Sequence, residues 1–414
     1  MSHQVNALIS KNIKEYGQEN IGCLISGQST SEEHFLFQKI FKKLGITNID
    51  HRTKESDFSY QDSYPIMPSL GCNLNDLKKY KNIILVGVNV KTEYPVLSIR
   101  LNALAKNNTK VYSFNFNSLE ENFSLHHKQI ITHDNIDLFL NTSNFSLENS
   151  ETLFIIGPSV SRSPNQSSIL RKISEFSSSI DANIGFLTEF CNSTSGWLLG
   201  NLPHRELGGG KPRQIGKNSY EMIKSHLSSY IFYNLEPEFD FFNKQDLEHA
   251  LDTSKCNIFF TSYITPIIEK YADIIIPITT FAETDGGYIN IEGTYQTFQP
   301  IVQPSKNIHV GWSTLNDILK LNNLGDYSID EIRGELAESL DGLNFSTPVS
   351  DMSDINSNND MENVIVHDLS RETNETDLIV RRSESLRQVS LMNKKINNKN
   401  IISQSDNLQT NVTK

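Results

Sequence analysis

The residues with the strongest claim to chemistry in this sequence are its cysteines, one glycine triplet and two pairs of acidic or acid–base side chains. Cys23, Cys72, Cys191 and Cys256 stand singly along the chain. A zinc or iron–sulfur site needs closely spaced thiols, because neighbouring ligands must converge on one centre. The cysteines therefore read as small core residues. Gly22-Cys23-Leu24-Ile25-Ser26-Gly27 has neither the GxGxxG spacing nor a Walker lysine, so it reads as a strand closed by a tight turn rather than a phosphate cradle. Leu207-Gly208-Gly209-Gly210-Lys211-Pro212 follows Pro203-His204-Arg205. Adjacent glycines permit positive φ and close backbone approach, which suits either a packing loop or, beside Arg205, an anion site. The packing loop is preferred, since no helix amino terminus clearly follows the glycines. His204 with Glu189 has the types of an acid–base pair, and Asp285 with Glu292 those of paired carboxylates. Their spacing brings neither pair together, and charged residues beside glycines are commonly solvated. There is no nucleophile elbow, no H-E-x-x-H and no carboxylate-rich metal loop. The residues alone assign no catalytic, cofactor-binding or metal-binding position.

The elements that would position such residues are those of an α/β protein. Short apolar runs ending in Gly or a turn alternate with helical periodicity, the pattern of a buried parallel sheet with crossover helices. The first run is Ile21 to Ile25; after it Ser31-Glu32-Glu33 opens a helix whose Phe35, Leu36, Ile40 and Leu44 share one stripe. A strand over Ile83 to Val88 precedes a helix from about Tyr94 to Lys106 and a strand over Lys110 to Phe114. Further strands are expected at Leu153 to Ile156, Asn183 to Phe186, Tyr230 to Tyr233, Asn257 to Phe260 and Asp273 to Pro277. This alternation predicts an α/β layered parallel-sheet domain over residues 1–340, with subdomains of about 1–150 and 151–340.

Composition sets the remaining bounds. The 414 residues are 37% hydrophobic, low for a chain folded along its whole length. A formal charge of -12 and a pI of about 5.4 argue against nucleic acid as a partner. No secretory leader and no apolar run long enough to span a bilayer is apparent, so direct membrane insertion is not expected and a cytoplasmic location is. Residues 341–376 are rich in Ser, Asn, Asp and Thr and read as a disordered linker. Residues 377–392 include Ile379, Val380 and Leu386 beside Arg381 and Arg382 and read as a docking segment. Apolar contacts are expected to carry that docking and the arginines to orient it, because exposed ion pairs add only about 0–1 kcal/mol each. Residues 393–414 read as a disordered tail.

The most distinctive stretch runs from Tyr271-Ala272-Asp273-Ile274-Ile275-Ile276-Pro277 through Phe281-Ala282-Glu283-Thr284-Asp285-Gly286-Gly287-Tyr288-Ile289-Asn290-Ile291-Glu292-Gly293. Physically it is a buried strand stopped by Pro277 and a glycine-punctuated loop feeding an extended segment. Gly286-Gly287 is expected to be a structural turn with at least one glycine at positive φ. The stretch resembles the signature of the molybdopterin oxidoreductases, with Thr294 where that family typically has Arg. Asn48 to Arg52, Asp57-Phe58, Gln61-Asp62, Glu93-Tyr94-Pro95, Arg100-Leu101, Asn192-Ser193 with Gly196-Trp197, Leu202 to Arg205, Leu235 to Asp240 and Ile379 to Leu386 carry a second, narrower likeness. They are similar to the carboxy-terminal region of the cluster-carrying peripheral-arm subunit of bacterial NADH-quinone oxidoreductases (respiratory complex I).

This second resemblance implies a peripheral-arm scaffold in a proton-pumping complex that carries electrons from NADH to quinone. It implies a molybdopterin oxidoreductase-like fold with Rossmann-type subdomains, and other peripheral-arm subunits, the NADH-binding flavoprotein among them, as partners. The location implied is the cytoplasmic side of the inner membrane. In that family an amino-terminal region carries 2Fe-2S and 4Fe-4S clusters; nothing here matches it, so this chain is expected to hold no cofactor and to be inactive in isolation. The same signature also fits an active molybdopterin enzyme, such as a formate dehydrogenase, or a non-enzymatic interaction protein that has kept the fold.

Overall fold

The computed structural model describes residues 2–131, 151–305, 308–341, 380–386 and 388–389. Its frame is two five-stranded parallel sheets and one antiparallel hairpin. The strands are β1 (Ile21–Ile25), β2 (Ile49–Asp50), β3 (Asn82–Val86), β4 (Lys110–Asn115), β5 (His127–Ile130), β6 (Thr152–Ile156), β7 (Asn183–Phe186), β8 (Ser229–Tyr233), β9 (Cys256–Thr261), β10 (Ile274–Pro277), β11 (Gly286–Ile289) and β12 (Tyr295–Phe298). The first sheet has the order β10-β9-β8-β1-β2, the second β5-β4-β3-β6-β7, and β11 pairs with β12. The α/β layered parallel-sheet expectation holds, and the interior strands are continuously apolar because both faces of each sheet are covered.

Alternation along the strands sends side chains to those two faces. On the first sheet Cys23, Ile231, Tyr233, Ile258 and Phe260 meet helices Ser2–Tyr16, Ser31–Lys43, Gly311–Leu321 and Ile329–Leu340. Leu24, Tyr230, Phe232 and Phe259 face helices Ser219–Lys224, Lys244–Thr253 and Pro266–Tyr271. The second sheet places Ile84, Tyr112 and Phe154 against helix Gln166–Ser179, and Ile83, Leu85 and Leu153 against helix Pro95–Lys106.

Helix Ser31–Lys43 departs from a one-stripe reading. Phe35, Leu36 and Ile40 are buried as the stripe requires, but so are Phe37 and Phe41, together with the whole first turn. Helices Gly311–Leu321 and Ile329–Leu340 cover the face that a surface helix would leave to water. A capping box starts the helix, with Thr30 Oγ1 accepting from the Glu33 amide and Glu33 Oε2 from the Thr30 amide.

The sheets do not divide the chain near residue 150. β6 and β7, which follow that point, pair in one sheet with β3, β4 and β5, which precede it. The second sheet is thus inserted between β2 and β8 of the first. Strand pairing, which is long-range, decides this, whereas a composition shift along the chain does not register it. The linker expected at 341–376, apart from Asp341, and the tail at 393–414 lie outside the described residues, as do 377–379, 387 and 390–392 of the expected docking segment.

The strand expected over Ile83 to Val88 ends at Val86, because Gly87 turns the chain at φ 62°. Gly87 and Gly157 then let the two connections touch: a Cβ on Gly157 would lie 2.3 Å from Val88 Cβ and 2.6 Å from the Gly87 carbonyl oxygen. Gly157→Ala should therefore cost about 1–3 kcal/mol of stability through overpacking against backbone. Gly210→Ala, whose Cβ would have no neighbour closer than 3.5 Å, should cost far less. Urea unfolding of both variants checks this, and equal losses at the two positions would remove close approach as the cause.

Candidate crevice sites at the carboxyl edges of the sheets

In an open parallel sheet, connections leaving two adjacent strands in opposite directions open a crevice at their carboxyl ends, where ligands bind. In the first sheet this switch falls between β1 and β8. A cavity of ≈ 370 Å³ opens there, lined among others by Gln28 beyond β1, Asn234 beyond β8, Tyr263 beyond β9, Thr279 beyond β10 and Tyr288 of the hairpin. Gln28 Nε2 and Thr279 Oγ1 are buried without a hydrogen-bond partner among the described residues. Water or a neutral hydrogen-bonding ligand would satisfy them.

Helix Ser31–Lys43 points its amino terminus at this edge, the position that takes a phosphate in dinucleotide-binding folds. Here the chain's own carboxylates hold that position. Glu32, fully buried, accepts from the Gly287 amide at 2.8 Å, Tyr295 Oη at 2.7 Å and Arg333 Nε at 2.8 Å. Glu33 caps Thr30 and accepts from Tyr233 Oη at 2.8 Å, and burial raises its carboxyl above the usual range. A phosphate-bearing cofactor would meet these carboxylates and the hairpin instead of free amides, so the first turn of the helix does not fit a pterin dinucleotide held by its phosphates.

Gly286 and Gly287 lie in β11, and neither has positive φ, contrary to the expected turn. The requirement is space instead. A Cβ on Gly286 would stand 2.4 Å from Thr30 Cγ2, and one on Gly287 2.3 Å from the Tyr295 ring. Gly286 lets the hairpin lie directly on the helix start, and Gly287 makes room for the Tyr295 ring within the hairpin. The turn falls at residues 290–294, where Asn290 Oδ1 accepts from the amides of Glu292 and Thr294.

The second sheet switches between β3 and β6, and there the close approach of Gly87 and Gly157 narrows the crevice. Beyond them sits a buried ionic cluster. Arg162 pairs with Glu93 at 2.9 Å and Glu189 at 2.8 Å, and Lys54 stands 3.8 Å from Glu189. Arg52 grips Asp50 through two bonds of 2.9 Å and lies over the rings of Phe58 and Trp197. The space remaining beside Arg52, Lys54 and Glu189 is ≈ 20 Å³, about the room of one water.

The residues nominated from sequence are placed but not paired. His204 Nε2 faces the Gln61 carbonyl at 3.2 Å and its Nδ1 has no hydrogen-bond partner among the described residues, while Glu189 belongs to the ionic cluster. Asp285 accepts from Trp312 Nε1 at 2.8 Å, and Glu292 accepts from the Leu74 amide at 2.6 Å, so the two carboxylates pin different segments. Arg205 donates to the carbonyls of Gln61, Asp62, Tyr64 and Pro65, which makes the stretch before the glycines a packing loop and leaves no guanidinium for an anion. Gly208 and Gly209 do adopt positive φ. Cys23 and Cys256 are buried, Cys72 is half-buried and Cys191 is exposed at the cavity. Among the described residues no group of His, Cys, Asp and Glu could hold a metal ion. Sequence reasoning missed the roles of Glu32, Arg162 and Arg333; the buried first turn of the helix gave no local sign of its distant partners.

A doubly wound two-sheet chain with its crevice beside a Pro-stopped strand and a glycine hairpin has the build of the molybdopterin oxidoreductases, and the model of the molybdopterin oxidoreductase family matches residues 3–321. The chain belongs to that family. Its relatives include the mitochondrial NADH-ubiquinone oxidoreductase 78 kDa subunit of Candida albicans, 21% identical over 338 residues, which cover 80% of this chain and 44% of that subunit. This chain thus spans less than half the length of that relative. In fold it is similar to acetylene hydratase from Pelobacter acetylenicus, with a TM-score of 0.54 and 11% identity over 78% of this chain and 58% of that one. A chain of the formyltransferase/hydrolase complex from Methylorubrum extorquens, solved with methylofuran, matches with a TM-score of 0.50 and 10% identity over 78% of this chain and 98% of its own length.

Burial next to the ionic cluster gives a pH signature. The Glu55 carboxyl, hydrogen-bonded by Tyr60 Oη, is pushed up to about 8, chiefly by burial. A folded value above the unfolded one means that its contribution is fully present below the unfolded value, near 4.5, and is lost as the pH rises through about 8. Burial acts oppositely on His51, lowered to about 4, whose contribution is lost as the pH falls from 6.5 toward that value. Glu55→Gln separates the two. Relative to wild type its stability should grow between pH 5 and 8 by up to about 1.4 kcal/mol per pH unit. Urea unfolding across that range measures it, and a pH-independent difference would remove the buried-acid assignment.

Proposed function

We propose that this chain is the scaffold portion of the cluster-carrying component in the peripheral arm of a respiratory NADH-quinone oxidoreductase, and that it performs no chemistry itself. The observation that carries the reading is the occupied helix start: Glu32 and Glu33 stand where an anionic cofactor would be held. The likeness to the 78 kDa subunit over 80% of this chain supports the assignment to that complex. In this reading the chain has no cofactor of its own, and clusters held outside it carry the electrons from NADH toward quinone. Its partners are other peripheral-arm subunits, including the NADH-binding flavoprotein, on the cytoplasmic face of the inner membrane. Among the described residues no helix is long and apolar enough to cross a membrane, which suits attachment through such partners.

The ionic cluster suits a rigid support. Arg162 and its carboxylates are nearly excluded from water, and removing one partner of a buried pair typically costs about 3–5 kcal/mol. The open cavity favours a second reading, an active molybdopterin enzyme that holds its pterin by neutral hydrogen bonds at Gln28 and Thr279.

One preparation distinguishes the two. The tagged chain, isolated from mildly solubilised membranes of its source, should co-migrate with NADH:quinone reductase activity on native gels and contain no stoichiometric molybdenum or pterin. Migration apart from that activity, or molybdenum bound in proportion to the chain, would sink the scaffold proposal.

A further inference from the structure

The stretch Leu235 to Asp240 contains two buried carboxylates that neither crevice uses. Glu236 is 4% exposed and Asp240 fully buried, on either side of the single turn Pro237–Asp240. Asp240 Oδ2 accepts from the Glu236 amide at 2.9 Å, which locks the two side by side. Two desolvated acids this close require a cation, since like charges without water disfavour the ionised pair. Burial accordingly pushes the Glu236 carboxyl up, and the nearby arginines pull it back.

The cation comes from the other end of the chain. Val380–Arg382 form one turn of 3-10 helix against this corner. The Arg381 side chain is 1% exposed; its terminal nitrogens reach Asp240 Oδ1 at 3.5 Å and Glu236 Oε2 at 3.5 Å, with its guanidinium carbon 4.9 Å from the centre of the Phe239 ring. Arg382 meets Glu236 Oε1 at 2.8 Å and stacks 3.3 Å over the ring of Tyr263, which also lines the cavity of the first sheet. The arginines thus make directional contacts beyond the orienting role expected of them. A planar guanidinium can satisfy a carboxylate and an aromatic face together, which suits these arginines to the corner.

We infer that Glu236, Phe239, Asp240 and Tyr263 form a recognition socket for a paired-arginine segment, and that its ligand is this chain's own Arg381-Arg382. The socket fixes the carboxy-terminal segment beside the crevice of the first sheet. This assignment is independent of the scaffold function: it rests on the geometry of one corner and holds whether or not the chain joins a respiratory complex.

The test uses the full chain. Hydrogen exchange over residues 380–386 should be slow in the wild type and fast in Arg381→Gln/Arg382→Gln. A synthetic peptide of residues 377–390, added to that double variant, should bind saturably. Glu236→Gln/Asp240→Asn in the same background should weaken the peptide by about tenfold or more, the loss typical of a removed charge-assisted contact. Both substitutions keep side-chain shape, and the exchange comparison stands alone if the quadruple variant does not fold. Equal exchange in wild type and double variant, or peptide binding indifferent to Glu236 and Asp240, would overturn the socket. Protection of 380–386 that grows with protein concentration would overturn the assignment of the ligand to the same chain.

Discussion

A carboxylate with no access to water must find its hydrogen bonds inside the protein, and Glu32 finds three from three distant segments. The Gly287 amide belongs to the hairpin, Tyr295 to the hairpin's second strand and Arg333 to the last helix of the domain. An unpaired buried carboxylate is among the costliest groups a fold can carry, so these segments are bound to one another through it. The hairpin must then lie on the helix start, where Gly286 gives room to Thr30 and Gly287 gives room to the Tyr295 ring that reaches Glu32. The closure of the anion position in the crevice follows from the same bond set.

The second sheet is held to the first by charge as well as by apolar contact. Arg162, Glu93 and Glu189 belong to the inserted sheet and its loops, whereas Asp50 ends β2, the strand from which the chain leaves the first sheet for the second, and Arg52 and Lys54 follow it. Between them Trp197 touches Tyr64, His51 and His204 and receives the faces of Arg52 and Arg205. Apolar packing of that kind is tolerant of small shifts, but paired charges and stacked guanidinium groups are directional. The combination sets one arrangement of the loops at this junction.

Cations and carboxylates thus do similar work at separate places. Glu32 closes the helix start, the Arg162 cluster fills the second crevice, and Glu236 with Asp240 takes up the arginines of the carboxy-terminal turn. In each place the charge is paired within the protein. The cavity at the first switch point, by contrast, keeps two polar groups, on Gln28 and Thr279, without a protein partner among the described residues.

The sequence by itself determined the strands and most of their crossover helices, because a buried parallel strand is a short apolar run and its helix has a visible period. Ile21–Ile25, Thr152–Ile156 and Cys256–Thr261 lie within a residue or so of where that pattern puts them. The edge strand His127–Ile130 was not legible, since its side chains are largely exposed and carry no apolar signal. The motif from Tyr271 to Gly293 also made the family legible, although not what its glycines do. What tertiary structure alone decided is which residues meet. The pairing of β3 with β6, the bond of His204 to Gln61 in place of Glu189, the burial of Glu32 under Arg333 and the seating of Arg381 on Asp240 are contacts between residues from about 70 to 300 positions apart. Local spacing carries no information about such partners, because their encounter is set by the order of strands in a sheet, and that order follows from how two faces of each sheet are covered.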